Sequence, residues 1–515
     1  KRIPEYKKNA FNPLKKGSFL GVAFNPNKNI VYLSGGDEGS VIIYDYVQNK
    51  KIDSILLDGI FGGIKYEGSF TSDLIYEATR NELLILDRGN FRLVRYSLNN
   101  KKIIASIPTG RQPFGLAISP DQKTVLVANV GMYAYPIVEG TTKENIQSQY
   151  INWHPYGNNT KESIEGKVID GKKIPGLGSP NADESMSVFV IDLATNKVKA
   201  KLKTGMLLGE LVEDAEVIGG ASPNSIVMGT KFAYVTNATN DNIAVIDYKR
   251  GRIAKHIAIK VDQRIDKLRG LVPFGIDLTK DEKYLFVALL GFNAVAKIDL
   301  ASEKTLGLIP TGWGTTRVKL SNDDKTIYVT SCRGLGAGPN GGKNFKIPAQ
   351  GSYIGDIQLG SFQKIENPSI DKLKAYTKQT IENTFIVKSQ TDSLPLPVLP
   401  GSKESPIKHI VFITKENRTF DEVFGQMKNI RGESNLARFG IDVTVMDKTG
   451  IVKNVNVTPN HHKIAKQFSL SDNFYCDSDA SIHGHHWMMG VIPNEWVEAN
   501  SSTEKTADYF STAPG

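Results

Sequence analysis

An internal repeat between about residues 17 and 365 limits the fold of this chain more than any other sequence feature. Its unit holds a turn with Pro and Gly, an apolar strand, a turn such as Ser119-Pro120-Asp121, a strand rich in Tyr and Val, a strand that ends near Asp, and a last strand. Pro273-Phe274-Gly275 repeats Pro113-Phe114-Gly115. Units of about 40 residues with four short strands each are typical of the blades of a β-propeller.

Six repeat units are recognisable, and they start near residues 17, 68, 111, 221, 271 and 313. Three apolar strands in this region end in an acidic residue, which predicts equivalent blade positions for Asp192, Asp247 and Asp299. The third unit is interrupted by an insertion at about residues 133–185 that is rich in Gly, Asn, Lys and Pro. Propeller insertions lie on one face and often form a binding surface. The alternative is a solvated loop without a partner.

The chain changes character after the repeat. Residues 366–404 are predicted to form a helix with Ser369 as its N-cap, followed by a Pro-rich, semi-rigid connector. Residues 405–515 are predicted to form an α/β domain. Its elements would be a buried strand at 408–414, a helix around Asp421–Met427 and a short helix at Lys463–Phe468.

Polar side chains follow the predicted strand at 408–414 directly. Glu416, Asn417 and Arg418 offer a carboxylate, an amide and a guanidinium, which suit metal and phosphate binding at the tip of a strand. Of the eight histidines in the chain, five fall between residues 461 and 486, at His461, His462, His483, His485 and His486. This clustering predicts a site for a metal ion or a phosphate group.

Four separated motifs of residues 405–515 resemble the phosphoesterase family in their order and spacing. They are Lys415–Asp421, Thr458–His462, Asp472–Tyr475 and Ser481–Trp487. That family contains bacterial phospholipases C and acid phosphatases and is related to alkaline phosphatase. The region before residue 365 resembles propellers of the YVTN type, through Tyr234–Asn237 and Tyr328–Ser331. Those propellers commonly have seven blades, so we expect one closed propeller over residues 1–365 with seven blades, or six as the alternative. The seventh would use N-terminal residues and the stretch after residue 345.

The resemblance to the phosphoesterases implies a catalytic centre with a divalent metal ion of unknown identity. Glu416 and Asn417 are implied as ligands of the ion, and Ser481 as both a ligand and the nucleophile. A serine hydroxyl is a weak nucleophile that metal coordination can activate. Ser478 is the rival nucleophile, although it lies three residues too early for the Ser-x-x-Gly-His pattern.

Other polar residues are implied as contacts of the substrate. His485 would be a second catalytic residue at the phosphoryl oxygens or the leaving group, and Arg418 and His462 would contact the substrate phosphate. Arg418 could equally make a structural salt bridge. Domains of this family run to several hundred residues, and about 110 follow residue 405 here. We therefore expect either a fragment of a longer protein or a degenerate domain.

Composition narrows the function classes. The formal net charge of +9 comes from dispersed lysines rather than from a basic block, which argues against nucleic acid as a partner. Two cysteines, Cys332 and Cys476, cannot build a disulfide scaffold, and no apolar run reaches the length of a transmembrane helix.

Two classes of function remain. The first is a bacterial metal-dependent phosphoesterase that hydrolyses phosphomonoesters or phosphodiesters and carries a binding propeller with a protein partner on its face. It would be periplasmic, associated with the outer membrane, or secreted. The second is a non-catalytic surface or periplasmic propeller protein that binds a protein or a glycan and whose phosphoesterase domain is degenerate.

Overall fold

The computed structural model describes residues 19–36, 38–134, 136, 140, 160–207, 209–212, 215–217, 220–266, 269–334, 360–385, 407–472, 474, 484, 485 and 488. The chain divides into two compact units. The first unit comprises residues 1–336, 358–384 and 478–515, and the second comprises residues 337–357 and 385–477.

The first unit contains six antiparallel sheets, here called blades 1 to 6. Their strands follow one another in the chain, except in blade 3, where a separate hairpin lies between the second and third strands. Blade 1 consists of Val22–Phe24, Ile30–Ser34, Ser40–Asp45 and Lys50–Leu56. Blade 2 consists of Thr71–Glu77, Glu82–Asp87, Arg92–Ser97 and Lys102–Pro108. Blade 3 consists of Pro113–Ile118, Thr124–Asn129, Ser187–Asp192 and Lys197–Lys203.

The remaining blades repeat this order. Blade 4 consists of Pro223–Met228, Ala233–Asn237, Asn242–Asp247 and Arg252–Ala258. Blade 5 consists of Pro273–Leu278, Tyr284–Leu289, Ala294–Asp299 and Lys304–Pro310. Blade 6 has three described strands, Thr315–Leu320, Thr326–Ser331 and Ser361–Glu366. Small hairpins outside the blades pair Gly59–Phe61 with Ile64–Tyr66 and Leu211–Val212 with Ala215–Glu216.

The propeller prediction is confirmed, since each predicted repeat unit starts just before the first strand of a blade. The described residues form six blades. Part of the stretch after residue 345, from which the sequence predicts a seventh blade, belongs to blade 6 instead, because Ser361–Glu366 pairs with Thr326–Ser331. Residues 1–18 and 346–359, the other parts of the predicted seventh blade, lie outside the described residues.

The core of the first unit lies in layers between neighbouring blades. Successive side chains of a strand point to opposite faces of its sheet, so a strand covered on both faces is apolar throughout. Leu84 and Leu86 of blade 2 and Val125 and Val127 of blade 3 are fully buried in one such layer. Similar layers lie between blades 1 and 2, 3 and 4, and 5 and 6.

The first strands of successive blades pack against one another. Glycine allows this close approach at the third position of two of them. A Cβ atom at Gly115 would lie 2.1 Å from the carbonyl oxygen of Asn224, and one at Gly275 would lie 2.6 Å from that of Thr316. These distances are below any real contact, so a larger residue would push neighbouring blades apart.

Polar residues hold the same third position in the first strands of blades 2, 4 and 6. Arg317 of blade 6 reaches to 3.9 Å from the carboxylate of Asp73 in blade 2 and to 3.5 Å from the hydroxyl of Ser225 in blade 4. One side chain thus approaches two non-adjacent blades, as expected where all first strands surround a common axis.

The three acidic residues that the sequence predicts at equivalent positions end the third strands of blades 3, 4 and 5, as predicted. Each carboxylate accepts a backbone N–H from the turn that follows. Asp192 accepts from Thr195 at 2.8 Å, and Asp299 accepts from Ser302 at 2.9 Å. The shared role of these three Asp residues is therefore to stabilise a tight turn before the fourth strand.

The insertion lies between the second and third strands of blade 3, as predicted. Its described part contains the helix Lys161–Glu165 and a hairpin of Gly166–Ile169 with Lys172–Pro175. The Thr160 hydroxyl caps this helix by accepting the N–H of Ser163 at 3.2 Å. The guanidinium of Arg111, which precedes blade 3, donates to the carbonyl of Ser179 at 2.8 Å and so connects the insertion to its blade.

The helix predicted after the propeller runs from Ile370 to Thr384 and packs on the last strand of blade 5. Leu373 is 4% exposed and joins the layer between blades 5 and 6. The Thr377 hydroxyl accepts the N–H of Leu308 at 2.8 Å. This helix therefore belongs to the first unit, whereas the sequence groups it with the connector. None of the helices that the structure describes is long and apolar enough to cross a membrane.

The second unit contains two short helices and one hairpin among its described residues. The helices are Phe420–Phe424 and Pro459–Gln467, close to the two that the sequence predicts. The hairpin pairs Val443–Asp447 with Gly450–Val455. A single 3₁₀ turn, Ser434–Leu436, lies between helix and hairpin.

The predicted buried strand at 408–414 is wrong for this structure. Residues 407–419 form no strand, and the apolar side chains from Ile410 to Ile413 are each 75–85% exposed. A strand needs a neighbour for its backbone hydrogen bonds. The two strands described within 407–472 pair with each other, and neither of them pairs with this apolar segment.

Candidate functional site

A capping carboxylate fixes the start of the helix Phe420–Phe424. Glu422 accepts the backbone N–H of Thr419 at 3.0 Å and its hydroxyl at 3.3 Å. The guanidinium of Arg438 pairs with the other oxygen of the same carboxylate. An acidic residue three positions after Thr is the usual arrangement of a capping box, and it sets where the preceding segment enters the helix.

Glu422 is 8% exposed, and its environment sets its charge state. Burial by itself would raise the pKa of this carboxyl. The hydrogen bonds from Thr419 and the positive charge of Arg438 outweigh burial and hold the pKa below its usual range. The capping group is therefore a carboxylate at neutral pH.

Glu416 and Asn417, the predicted metal ligands, lie immediately before this helix and are both exposed. The peptide bond between them is cis. Among the residues that the structure describes, no three His, Cys, Asp or Glu side chains converge as a metal-ligand set. A carboxylate and an amide oxygen fit a hard cation, but Mg²⁺, Ca²⁺ and Zn²⁺ all take more ligands than two. Further ligands would have to come from residues outside the described ranges, Ser481 among them.

Arg418 is exposed, and its guanidinium carbon lies 4.4 Å from the ring centroid of Phe439. This is a cation–π contact. Arg418 makes no ion pair with the described residues. The structural salt bridge that the sequence left as an alternative is therefore not seen among them. A guanidinium stacked on a ring still presents the N–H groups at its edge, which is the geometry suited to a phosphate.

His462 is 2% exposed and joins the two helices of the second unit. Its Nε2 lies 2.6 Å from the carbonyl oxygen of Val423, and its ring packs on Phe424. A carbonyl can only accept, so the proton sits on Nε2. Nδ1 is buried and makes no hydrogen bond to the described residues. Contact with a substrate phosphate, which the sequence predicts, would require this ring to become accessible.

The burial of His462 has no clear signal in the sequence. Hydrophobic periodicity would select Ile464 as the inward-facing residue of the helix Pro459–Gln467, and Ile464 is 58% exposed. Phe439 as the support of Arg418 was missed for a related reason. It is 21 residues distant in the chain, and no local pattern relates the two positions.

The remaining predicted catalytic residues fall at the C-terminal end of the chain. Ser481 and its rival Ser478 lie outside the described residues, as does Cys476. His485 is described and half-buried, in the first of the two units. The convergence of Glu416, Asn417 and Ser481 on one metal ion therefore stays a prediction.

Comparison with known proteins agrees with the four motifs found in residues 405–515. Residues 407–514 match the model described as the phosphoesterase family. No curated protein matches the chain.

Several solved structures are similar to the chain at low identity. One is hydrazine synthase from Kuenenia stuttgartiensis, at 17% identity and a TM-score of 0.39, over 60% of this chain and 80% of that chain. Another is a catalytically inactive virginiamycin B lyase from Staphylococcus aureus, at 12% identity and a TM-score of 0.38, over 61% of this chain and 77% of that chain. The propeller assignment itself follows from the six blades. The chain thus combines an N-terminal β-propeller with a C-terminal stretch, residues 407–514, that matches the phosphoesterase family.

Proposed function

We propose that this protein is a metal-dependent phosphoesterase whose propeller serves for binding. The observation that carries the proposal is the family match over residues 407–514. It includes Glu416, Asn417 and Arg418 directly before a capped helix. The substrate class is a phosphate ester, either a monoester or a diester. Residues 407–514 supply the chemistry, and the propeller supplies a surface for a partner.

For the reacting centre we propose that Glu416, Asn417 and Ser481 hold a divalent cation through their oxygens. The cation, when bound, would supply positive charge that activates the serine hydroxyl and stabilises the phosphoryl oxygens. Exposure of Glu416 and Asn417 supports this assignment, because a cation and a substrate can both reach them from solvent. Ser481 donates the attacking oxygen, and His485 stabilises the phosphoryl oxygens or the leaving group.

Arg418 binds the phosphate in this proposal. The ring of Phe439 limits the positions of the guanidinium without consuming its N–H groups. A phosphate oxygen pair can then accept two hydrogen bonds from one side chain. His462 has a positioning role in this proposal, because its ring joins the helix Pro459–Gln467 to the helix that begins after Arg418.

We also propose an extracytoplasmic location in a bacterium and a protein partner on the propeller face. The support is the resemblance of residues 405–515 to a family with bacterial members, together with the insertion between the second and third strands of blade 3. Fractionation of cells that express the intact protein tests the location. Recovery with the cytoplasmic fraction alone would contradict it.

Hydrolysis by the intact protein tests the activity. We expect release of nitrophenolate from p-nitrophenyl phosphate or from bis(p-nitrophenyl) phosphate, loss of that activity in EDTA, and recovery after addition of Mg²⁺, Ca²⁺, Mn²⁺ or Zn²⁺. A protein that hydrolyses neither ester with any of these ions would contradict the proposal. It would favour the non-catalytic propeller protein instead.

A further inference from the structure

A cleft with a volume of about 290 Å³ lies in the first unit. One wall is the turn between the second and third strands of blade 5, and another is the connection from blade 5 to blade 6. The last turn of the helix Ile370–Thr384 forms the third wall. Side chains that line the cleft include Phe292, Asn293, Thr311, Trp313, Asn383 and Thr384.

Hydrogen bonds hold the propeller side of the cleft in place. The amide oxygen of Asn293 accepts the N–H of Gly314 at 2.7 Å, and its carbonyl accepts the N–H of Thr311 at 3.1 Å. Phe292 below them is 7% exposed. The cleft is therefore formed by packed elements of the first unit, and a ligand would not have to order it. Sites that are preformed in this way bind small molecules at a lower entropic cost.

The chemistry of the lining excludes one broad class of ligand. Among the described residues that line the cleft, none carries a charge. A phosphate or carboxylate bound there would lose water without gaining a cationic partner, which is costly. The lining instead offers neutral hydroxyls and amides. The hydroxyls of Thr311, Thr380 and Thr384 already donate to backbone carbonyls, so they offer a ligand their lone pairs as acceptors.

Two side chains suit a ligand that is both flat and rich in hydroxyls. Trp313 is 37% exposed, so part of its large apolar ring faces the cleft. The amide of Asn383 makes no hydrogen bond to the described residues. The Thr384 hydroxyl donates to the carbonyl of Thr380 at 2.9 Å, so its lone pairs are what it offers to a ligand's hydroxyls.

From these features we propose that the cleft binds a neutral saccharide of one or two rings. A sugar ring has an apolar face of C–H groups that would pack on Trp313, and hydroxyls at its edge that would bond to Asn383 and Thr384. The volume agrees with this size, because it lies just below the roughly 300–1,000 Å³ range of small-ligand sites. The cleft shares no residue with the proposed phosphoesterase centre, so either proposal can fail without the other.

Calorimetric titration of the intact protein with cellobiose, maltose, lactose and diacetylchitobiose tests the proposal. At least one disaccharide should bind, and inorganic phosphate should not compete with it. Trp313→Ala should weaken binding at least tenfold, or about 1.4 kcal/mol. Asn383→Ala, at an exposed helix end where folding is little affected, should weaken binding as well.

Phe362→Ala is the matched control, because Phe362 is a 60% exposed aromatic residue of blade 6 that stacks on Tyr328 and does not line the cleft. It should leave binding unchanged. The proposal is overturned if none of the four disaccharides binds. It is also overturned if folded Trp313→Ala and Asn383→Ala proteins bind as the wild type does, or if phosphate displaces the sugar.

Discussion

The Glu422 carboxylate fixes the start of the helix that follows the proposed metal ligands. It receives hydrogen bonds from Thr419 and a charge-assisted contact from Arg438, and it thereby joins three positions of the second unit. The residues proposed for chemistry, Glu416 to Arg418, are exposed and precede this point. The cap therefore sets where this segment enters the helix.

Loss of the Glu422 charge should loosen the helix start at neutral pH. Glu422→Gln removes the paired charge, and a lost helix cap costs about 1 kcal/mol. Hydrogen-exchange protection of residues 419–424, corrected for intrinsic exchange rates, should fall about fivefold at pH 7. Asp442→Asn is the control, because it removes the same charge from an exposed residue of the same unit. Equal loss in both variants would show that the cap is irrelevant.

The pH dependence of the same cap follows from its lowered pKa. A carboxyl whose pKa is lower in the folded state stabilises that state at a pH above its ordinary pKa of 4.5. This contribution is lost as the pH falls through the lower, folded-state value. Wild-type protection at residues 419–424 should therefore decline below about pH 4.5, while Glu422→Gln shows no such decline. Parallel profiles would mean that Arg438 and Thr419 do not perturb the carboxyl.

At the scale of elements, the sequence predicted the blades well because their signals are local. The turn residues and the apolar second strands recur from unit to unit, and an Asp ends the third strand of blades 1, 3, 4 and 5. Each of these signals has a local physical cause. The segment 408–414 failed for the opposite reason. Its apolar residues predict a buried strand, but a strand forms only where a partner strand pairs with it, and the local sequence does not show whether one does.

The approach of neighbouring first strands makes a glycine prediction possible. Gly115→Ala would place a Cβ 2.1 Å from the Asn224 carbonyl, so blades 3 and 4 would have to separate. We expect a loss of about 1–3 kcal/mol in the free energy of unfolding, measured by thermal or urea denaturation. Gly62→Asn is the control, because that site has open space and a φ of +60° that Asn tolerates. A Gly115→Ala protein as stable as the control would refute the close packing.

The helix Ile370–Thr384 gives a second test of element packing. Leu373→Ala should destabilise the first unit by about 2–5 kcal/mol, because Leu373 is 4% exposed within the layer between blades 5 and 6. Ile370→Ala, in the same helix at 75% exposure, should change the unfolding free energy by less than about 0.5 kcal/mol. Similar melting temperatures for the two variants would place the helix outside the propeller core.

At the scale of the whole molecule, the two units differ in how they are stabilised. The first unit holds several extended apolar layers, whereas Val443 is the one apolar residue that is buried among those described within 407–472. Composition cannot reveal this difference, since apolar residues are present in both. Burial depends on long-range partners. For the same reason the motifs predicted the family that residues 407–514 match, but they did not predict which side chains come together in its site.

The most direct test of the account compares two substitutions in the intact protein, by metal content and by hydrolysis of p-nitrophenyl phosphate and bis(p-nitrophenyl) phosphate. Ser481→Ala should reduce turnover at least about a thousandfold and retain most of the metal, because it removes the attacking oxygen and one neutral ligand while the Glu416 charge remains. Glu416→Gln should lose both metal and activity, because a ligand charge is removed. Ser478→Ala should resemble the wild type. Normal turnover in the Ser481→Ala protein, or full metal content in the Glu416→Gln protein, would contradict the proposed centre.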